Sequence, residues 1–186
     1  MGESTVHGAL AKLARRLDDA GIPYALVGAM AMNAHGYRRA TIDIDLVITA
    51  EGLARFKEAW LGRGYVERFS GSRGVRDTEY GVPIDFLLSG GYPGDGKPKD
   101  VCFPDPAVGT AKLDGVSVLP LERLLELKLA SGMSAPHRMK DLSDVIELIR
   151  TLDLDEDLAT ALAPSVQEKY RELWRAARSV DSDEPP

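Results

Sequence analysis

Two aspartates, Asp43 and Asp45, alternate with Ile42, Ile44 and Leu46 in the stretch that follows Arg39 and Thr41. Residues two apart on a strand point to the same side, so both carboxylates share one face and the aliphatic side chains are expected to pack on the other. Like charges about 7 Å apart along a strand repel, and a hard divalent cation such as Mg²⁺, which takes oxygen ligands, neutralises such a pair. A solvated strand face could also carry two charges, but aspartate is disfavoured in strands. A third carboxylate, Asp85, interrupts the apolar run Val82-Pro83-Ile84-Asp85-Phe86-Leu87-Leu88. Ile84, Phe86 and Leu88 would face one way and Asp85 the other, where a carboxylate in an apolar strand requires a partner.

The elements that position these residues follow from periodicity. Leu10, Leu13, Ala14 and Leu17 recur at helical spacing, with Ser4 or Thr5 as cap and Gly21 and Pro23 marking the end. Tyr24–Val27 is a short apolar strand, and Gly28 breaks it before a helix-forming stretch from Ala29 to Ala34. Gly28 allows a tight turn, and the amides of Ala29 and Met30 at the helix start are a ready anion site. Thr41–Thr49 is the strand of the aspartates, followed by a helix from Gly52 to Leu61 with Leu53, Phe56 and Trp60 on one side. Strands are predicted over Tyr65–Phe69, Val75–Tyr80 and Val82–Leu88, and a polar loop, a candidate flap, over Ser89–Asp100.

Beyond Pro120 the pattern turns helical, with Leu121, Leu124, Leu125 and Leu129 in one stripe and Leu142, Val145, Ile149 and Leu152 in the next. A last helix runs from Pro164 to about Arg178, and the acidic residues 181–186 are expected to be disordered. Lys128 falls on the core-facing stripe, where it must snorkel, meet a phosphate or pair with an acid such as Asp141. Lys140 and Asp144, four apart, have the spacing of a surface ion pair.

The chain of 186 residues is 44% hydrophobic, enough for one substantial core with a small helical appendage. The expected division is a core with a mixed sheet over residues 1–119, a helical part over 120–180 and the tail. A formal net charge of −6 argues against non-specific attraction to nucleic acid or an anionic membrane. The single cysteine, Cys102, excludes an internal disulfide and a Cys-rich zinc site, and with no signal-like or membrane-spanning stretch this predicts a cytoplasmic protein. Arg38, Arg39, Arg63, Arg68, Arg73 and Arg76 form a local concentration of positive charge that could steer a nucleotide or an RNA end. His35 and His137 lack metal-like spacing, and the acidic run from Asp153 to Asp157 lacks the glycine and distal glutamate of a calcium loop.

A strand, turn and helix at Gly28-Ala29, an Asp-x-Asp strand at Asp43-Ile44-Asp45 and a third strand aspartate at Asp85 resemble the nucleotidyltransferase fold of polymerase beta-like enzymes. Within it, the segment Arg39-Ala-Thr41-Ile-Asp43-Ile-Asp45, the helix with Leu127-Lys128-Leu129, and Arg138-Met-Lys140-Asp141-Leu-Ser-Asp144-Val look like the AbiEii-type branch, which includes nucleotidyltransferase toxins and small antibiotic-modifying enzymes. The resemblance spans residues 24 to 149 and departs at Ala29, where relatives carry a second Gly or a Ser. It implies an α+β fold in which a mixed twisted sheet with flanking helices is followed by a helical C-terminal part. It also implies transfer of a nucleoside monophosphate from an NTP to a hydroxyl acceptor. Asp43, Asp45 and Asp85 would then hold two Mg²⁺ ions, with Mn²⁺ able to replace them, and Asp85 could take the acceptor's proton. Gly28, Ala29, Met30, Arg39, Thr41, Lys128, Lys140 and Asp141 would contact the nucleotide. The acceptor implied is a tRNA end, with an antitoxin as protein partner, or a small antibiotic-like molecule. A non-catalytic nucleotide-binding or protein-interaction module on the same fold, and a phosphohydrolase using the same carboxylates, remain open from the sequence.

Overall fold

The computed structural model describes residues 2–179, so the acidic tail expected at 181–186 lies outside the described residues. The first helix, α1 (Gly2–Asp19), begins earlier than the sequence signal suggested, so neither Ser4 nor Thr5 stands at its cap. Its other end is closed as expected. Gly21 adopts φ +59, while its amide donates to Asp18 O at 3.0 Å and that of Ile22 to Leu17 O at 2.9 Å. This reciprocal pair satisfies the last carbonyls of the helix and turns the chain into the sheet.

The strands are β1 (Tyr24–Val27), β2 (Ile44–Ile48), β3 (Tyr65–Glu67), β4 (Val75–Asp77), β5 (Pro83–Leu88), β6 (Ala111–Leu113) and β7 (Val116–Val118). They form one seven-stranded mixed sheet in the order β3-β4-β5-β2-β1-β7-β6. Strand β2 runs antiparallel to β1 and parallel to β5, and β7 runs parallel to β1. Helices α2 (Gly28–Ala34) and α3 (Ala50–Trp60) follow β1 and β2. Thr49 caps α3 by accepting the Gly52 amide on its hydroxyl at 2.9 Å.

Alternation on β1, β2 and β5 sends Leu26, Ile44, Leu46, Ile48, Ile84 and Phe86 to one face, all of them fully or almost fully buried. Phe56 of α3 closes over this face, with ring centroids 5.1 Å from Phe86, 5.1 Å from Tyr65 and 5.2 Å from Trp60. Lys12 of α1 ties that helix to the far edge of the sheet through Asp77, at 2.8 Å, and Glu79, at 2.9 Å. Burial pushes the neighbouring Tyr65 phenol far above its usual range, and the Asp77 charge adds to this.

Two expectations are corrected here. The aspartate strand is shorter than Thr41–Thr49, because the Thr41 hydroxyl donates to the Asp43 carboxylate at 2.6 Å and holds residues 41–43 in a local turn. Ile42 consequently does not pack with Ile44 and Leu46 but stands 77% exposed. The hairpin β6–β7 had no counterpart in the sequence reading. Its two-residue turn is Asp114-Gly115, at φ +48 and +80, the positive angles that a tight hairpin turn requires.

The described chain divides into two compact units. The first comprises the chain up to Ala34, Arg38–Gly90 and Phe103–Pro120, and it carries the sheet and α1 to α3. The second comprises His35–Tyr37, Gly91–Cys102 and the chain from Leu121 onward. Its helices are α4 (Leu121–Ser134), α5 (Met139–Thr151) and α6 (Pro164–Ser179), with short 3-10 turns at Pro136–Arg138 and Glu156–Ala161. The segment considered as a flap is fastened within this second unit: the Asp95 amide donates to Ser134 Oγ at 3.2 Å and Lys99 pairs with Asp95 at 2.7 Å. Buried Glu126 on α4 accepts the Ala163 amide at 2.7 Å and so caps the start of α6. Among the described residues, no helix is long and apolar enough to cross a membrane.

Candidate functional site

The register of the sheet brings together residues that are far apart in sequence. Val27 pairs with Asp45, and Asp45 with Asp85. Beyond them Val75 pairs with Ile84 and with Glu67, which puts Gly74 opposite Asp85 and Arg68 opposite Gly74. A row therefore crosses five strand positions at one end of the sheet: Arg68, Gly74, Asp85, Asp45, Val27. Pleating directs its side chains to the face opposite the Phe56 core.

Each member is shaped by its neighbours. Gly28, at φ +65, closes β1 into α2, and a Cβ there would lie 3.0 Å from Asp45 Cγ and 3.1 Å from its Cβ, with the carboxylate oxygen closer still. Asp45 thus rests its carboxylate directly on the glycine turn. At Gly74 a Cβ would come within 2.6 Å of Asp85 Oδ1 and 3.2 Å of Arg68 Cδ, so the missing side chain is what lets the guanidinium reach across. Arg68 Nη1 donates to both Asp85 oxygens, at 2.7 and 2.9 Å. Asp85 is 40% and Arg68 42% exposed, so the pair sits on an open surface.

Asp43 precedes β2, its carboxylate held by Thr41. Asn33 of α2 fixes the approach to this segment: its side chain donates to Arg39 O at 2.8 Å and accepts the Arg39 amide at 2.7 Å. Ala29 and Met30 lie in the first turn of α2, whose seven residues are too few for a strong macrodipole, so anion attraction there rests on individual amides.

Lys128, Lys140 and Asp141 belong to the second unit. Lys128 Nζ lies 2.9 Å from Asp141 Oδ1 and 2.7 Å from Asp144 Oδ2, joining α4 to α5. Ser131 Oγ donates to the other Asp141 oxygen at 2.6 Å. Burial alone would raise the Asp141 carboxyl, but the Lys128 charge, the Ser131 hydroxyl and Arg138 outweigh it and hold it below the usual range. Asp144 takes Lys128, rather than the Lys140 partner that its spacing suggested, and Lys140 is exposed. Of the three fates considered for Lys128, the structure shows the acid pairing.

The arginine concentration does not form one patch. Arg68 is bound to Asp85, while Arg76, paired in register with Val66, shares the carboxylate face and donates to Gly81 O at 2.6 Å. Arg63 Nη1 donates to Ala59 O at 3.4 Å. Arg38 lines a cavity of about 570 Å³ with His7, Leu26, Met30, Asn33 and Val118, on the opposite face of the sheet.

The row at the sheet end contains two residues that sequence reasoning did not assign, Arg68 as the partner of Asp85 and Gly74 as the gap it crosses. The sequence signal was present in the spacing of the β3–β4 hairpin, which aligns Arg68 with Gly74, but only the pairing of β4 with β5 adds Asp85.

No family model and no curated protein matches the sequence. Solved structures do. A candidate nucleotidyltransferase from Thermotoga maritima superposes with a TM-score of 0.52 at 20% identity, over 77% of this chain and 96% of that one. An antigenic nucleotidyltransferase-like protein from Paracoccidioides brasiliensis gives a TM-score of 0.54 at 20% identity over 96% and 94%. ANT(2")-Ia in complex with adenylyl-2"-tobramycin gives 0.51 at 16% identity over 96% and 99%. The chain has the nucleotidyltransferase fold. The mixed sheet and flanking helices expected from the sequence are those of this fold, while the proposed AbiEii-type branch has no support among these structures.

The fold raises the question of a metal. Among the described residues, no three or more His, Cys, Asp or Glu side chains are arranged to hold one. The donor chemistry nevertheless fits at two positions. Asp43 and Asp45 offer the hard oxygens that Mg²⁺ takes, and Gly28 leaves the space that the Asp45 carboxylate occupies. Asp85 has the same chemistry, but Arg68 spans both of its oxygens.

Proposed function

We propose that the protein is a nucleotidyltransferase that moves a nucleoside monophosphate from an NTP to a hydroxyl of a small, cationic acceptor. The observation that carries this reading is the row in which Asp45 and Asp85 are paired across parallel strands, with the Gly28 turn against Asp45. Asp43 and Asp45 would hold a divalent ion, which when bound supplies charge neutralisation of the triphosphate and of the leaving pyrophosphate. The turn at Gly28, with the amides of Ala29 and Met30, would receive phosphate oxygens, and Arg39 and Thr41 border the same segment.

The acceptor oxygen attacks the α-phosphorus, the bond to the bridging oxygen breaks, and pyrophosphate leaves. Asp85 would take the hydroxyl proton. Lys128 and Asp141 act at one remove, by fastening α4 to α5.

A small acceptor is favoured over RNA by the net charge of −6 and by the dispersal of the arginines over both faces of the sheet. ANT(2")-Ia, in complex with adenylyl-2"-tobramycin, is an instance of the fold with an adenylylated small molecule. Incubation with each α-labelled NTP, Mg²⁺ and separate pools of aminoglycosides, lincosamides and total tRNA tests the assignment. Label on a small cationic acceptor is expected. Label on tRNA would replace the acceptor class with a toxin-like one, and label released as free NMP would indicate a phosphohydrolase.

A further inference from the structure

From the row across the sheet end we infer that Arg68 is a resident counter-cation of the third carboxylate, and that it competes for Asp85 with the divalent ion until the triphosphate draws it away. The inference rests on the proposed metal-dependent function. Three observations carry it. Arg68 Nη1 donates to both oxygens of Asp85, so both are engaged when a cation shared with the register neighbour Asp45 would need one of them. The sequence keeps the crossing open, since any side chain at Gly74 would collide with Asp85 Oδ1 at 2.6 Å and crowd Arg68. The pair is also exposed enough to exchange, at 42% and 40%, and Arg68 leads directly into the hairpin tip, where Phe69 is 70% exposed.

The chemistry is consistent. A guanidinium donates to carboxylate and phosphate oxygens alike, so Arg68, which meets Asp85 through Nη1, can exchange one for the other. An exposed pair of this kind is weak enough for a multivalent anion to displace. With Arg68 on Asp85, that carboxylate is withheld from a metal ion. With Arg68 on the triphosphate, Asp85 is released to the metal, so metal and nucleotide bind cooperatively. Arg68 is thus a positioning residue for the metal and a candidate contact for the nucleotide.

The test is Mn²⁺ binding, followed by electron paramagnetic resonance or calorimetry, with and without a non-hydrolysable NTP analogue. Arg68→Ala is expected to bind Mn²⁺ alone about fivefold more tightly than the wild type, the range set by a partly exposed ion pair. It should bind the analogue more weakly, and the gain in Mn²⁺ affinity should vanish in Arg68→Ala/Asp85→Asn. Arg68→Lys, which keeps the charge but not the fork, should fall between. Unchanged or weaker Mn²⁺ binding by Arg68→Ala overturns the inference. The Asp45→Asn variant separates the two levels: if it loses Mn²⁺ while Arg68→Ala shows no gain, only the role of Arg68 fails. If Asp45→Asn binds Mn²⁺ as the wild type does, the metal reading fails and takes this inference with it.

Discussion

Replacing Gly28 by alanine should destabilise the protein through two separable effects, and their separation reports whether the Asp45 carboxylate rests on the glycine turn. The first is conformational: at φ +65 an L-residue with a Cβ is strained, at about 1–2 kcal/mol. The second is steric. The new methyl would lie 3.0 Å from Asp45 Cγ and 3.1 Å from its Cβ, nearer still to a carboxylate oxygen, so Asp45 must rotate or the turn must shift. Crowding of this kind costs about 1–3 kcal/mol. Gly28→Ala alone should therefore cost about 2–5 kcal/mol. In an Asp45→Ala background the contacts with the carboxylate are gone, and what remains is the conformational part, about 1–2 kcal/mol, with the 3.1 Å approach to Cβ. Urea denaturation of the wild type, both single variants and the double variant closes the cycle, with an expected coupling of about 1–3 kcal/mol between the sites. Equal costs of Gly28→Ala in the two backgrounds would refute the placement of Asp45 and with it the site.

The second unit offers two further tests. Lys128→Met removes the cation that Asp141 and Asp144 share, and should cost about 3 kcal/mol in denaturant titrations at neutral pH. The pH dependence follows from Asp141, whose carboxyl is held below the 3.8 of an unperturbed aspartate. A depressed carboxyl confers stability that is full above its unfolded range and drains away as pH falls through the folded value. The deficit of Asp141→Asn relative to the wild type should thus be present at pH 6 and shrink below pH about 4; a deficit constant down to pH 2 would contradict this. In the first unit, Phe56→Ala removes a ring in contact with Trp60, Tyr65 and Phe86, and should lower stability by about 3–5 kcal/mol, read as a loss of denaturation midpoint.

The parts of the fold that were legible in the sequence are those with a one-dimensional period and a strong stop. β1 has the expected ends because Pro23 and Gly28 flank it, and α6 begins at Pro164 as expected. The short hairpin β6–β7 escaped because three-residue strands carry almost no period, although Asp114-Gly115 is a favoured turn pair. Residues 41–43 were misassigned to a strand because the alternation there is real, while the local bond from Thr41 to Asp43 draws them out of the ladder. For the site, residue types and spacing exposed the three aspartates and the glycine turn. The partnership of Arg68 with Asp85 could not be read in the same way. It depends on β4 pairing with both β3 and β5, a relation across strands that no spacing within one segment encodes. Lys128 was legible as a cation in an apolar stripe, and its two acid partners follow from the packing of α4 on α5.

The central claim, that the carboxylate row performs nucleotidyl transfer, is tested most directly by counting products in one reaction. Wild-type protein, Mg²⁺, an α-labelled NTP and the acceptor found in the panel should yield labelled acceptor and pyrophosphate in equal amounts, and Asp45→Asn should yield neither while keeping its fold by circular dichroism. Pyrophosphate without labelled acceptor, or an Asp45→Asn protein as active as the wild type, would contradict the account.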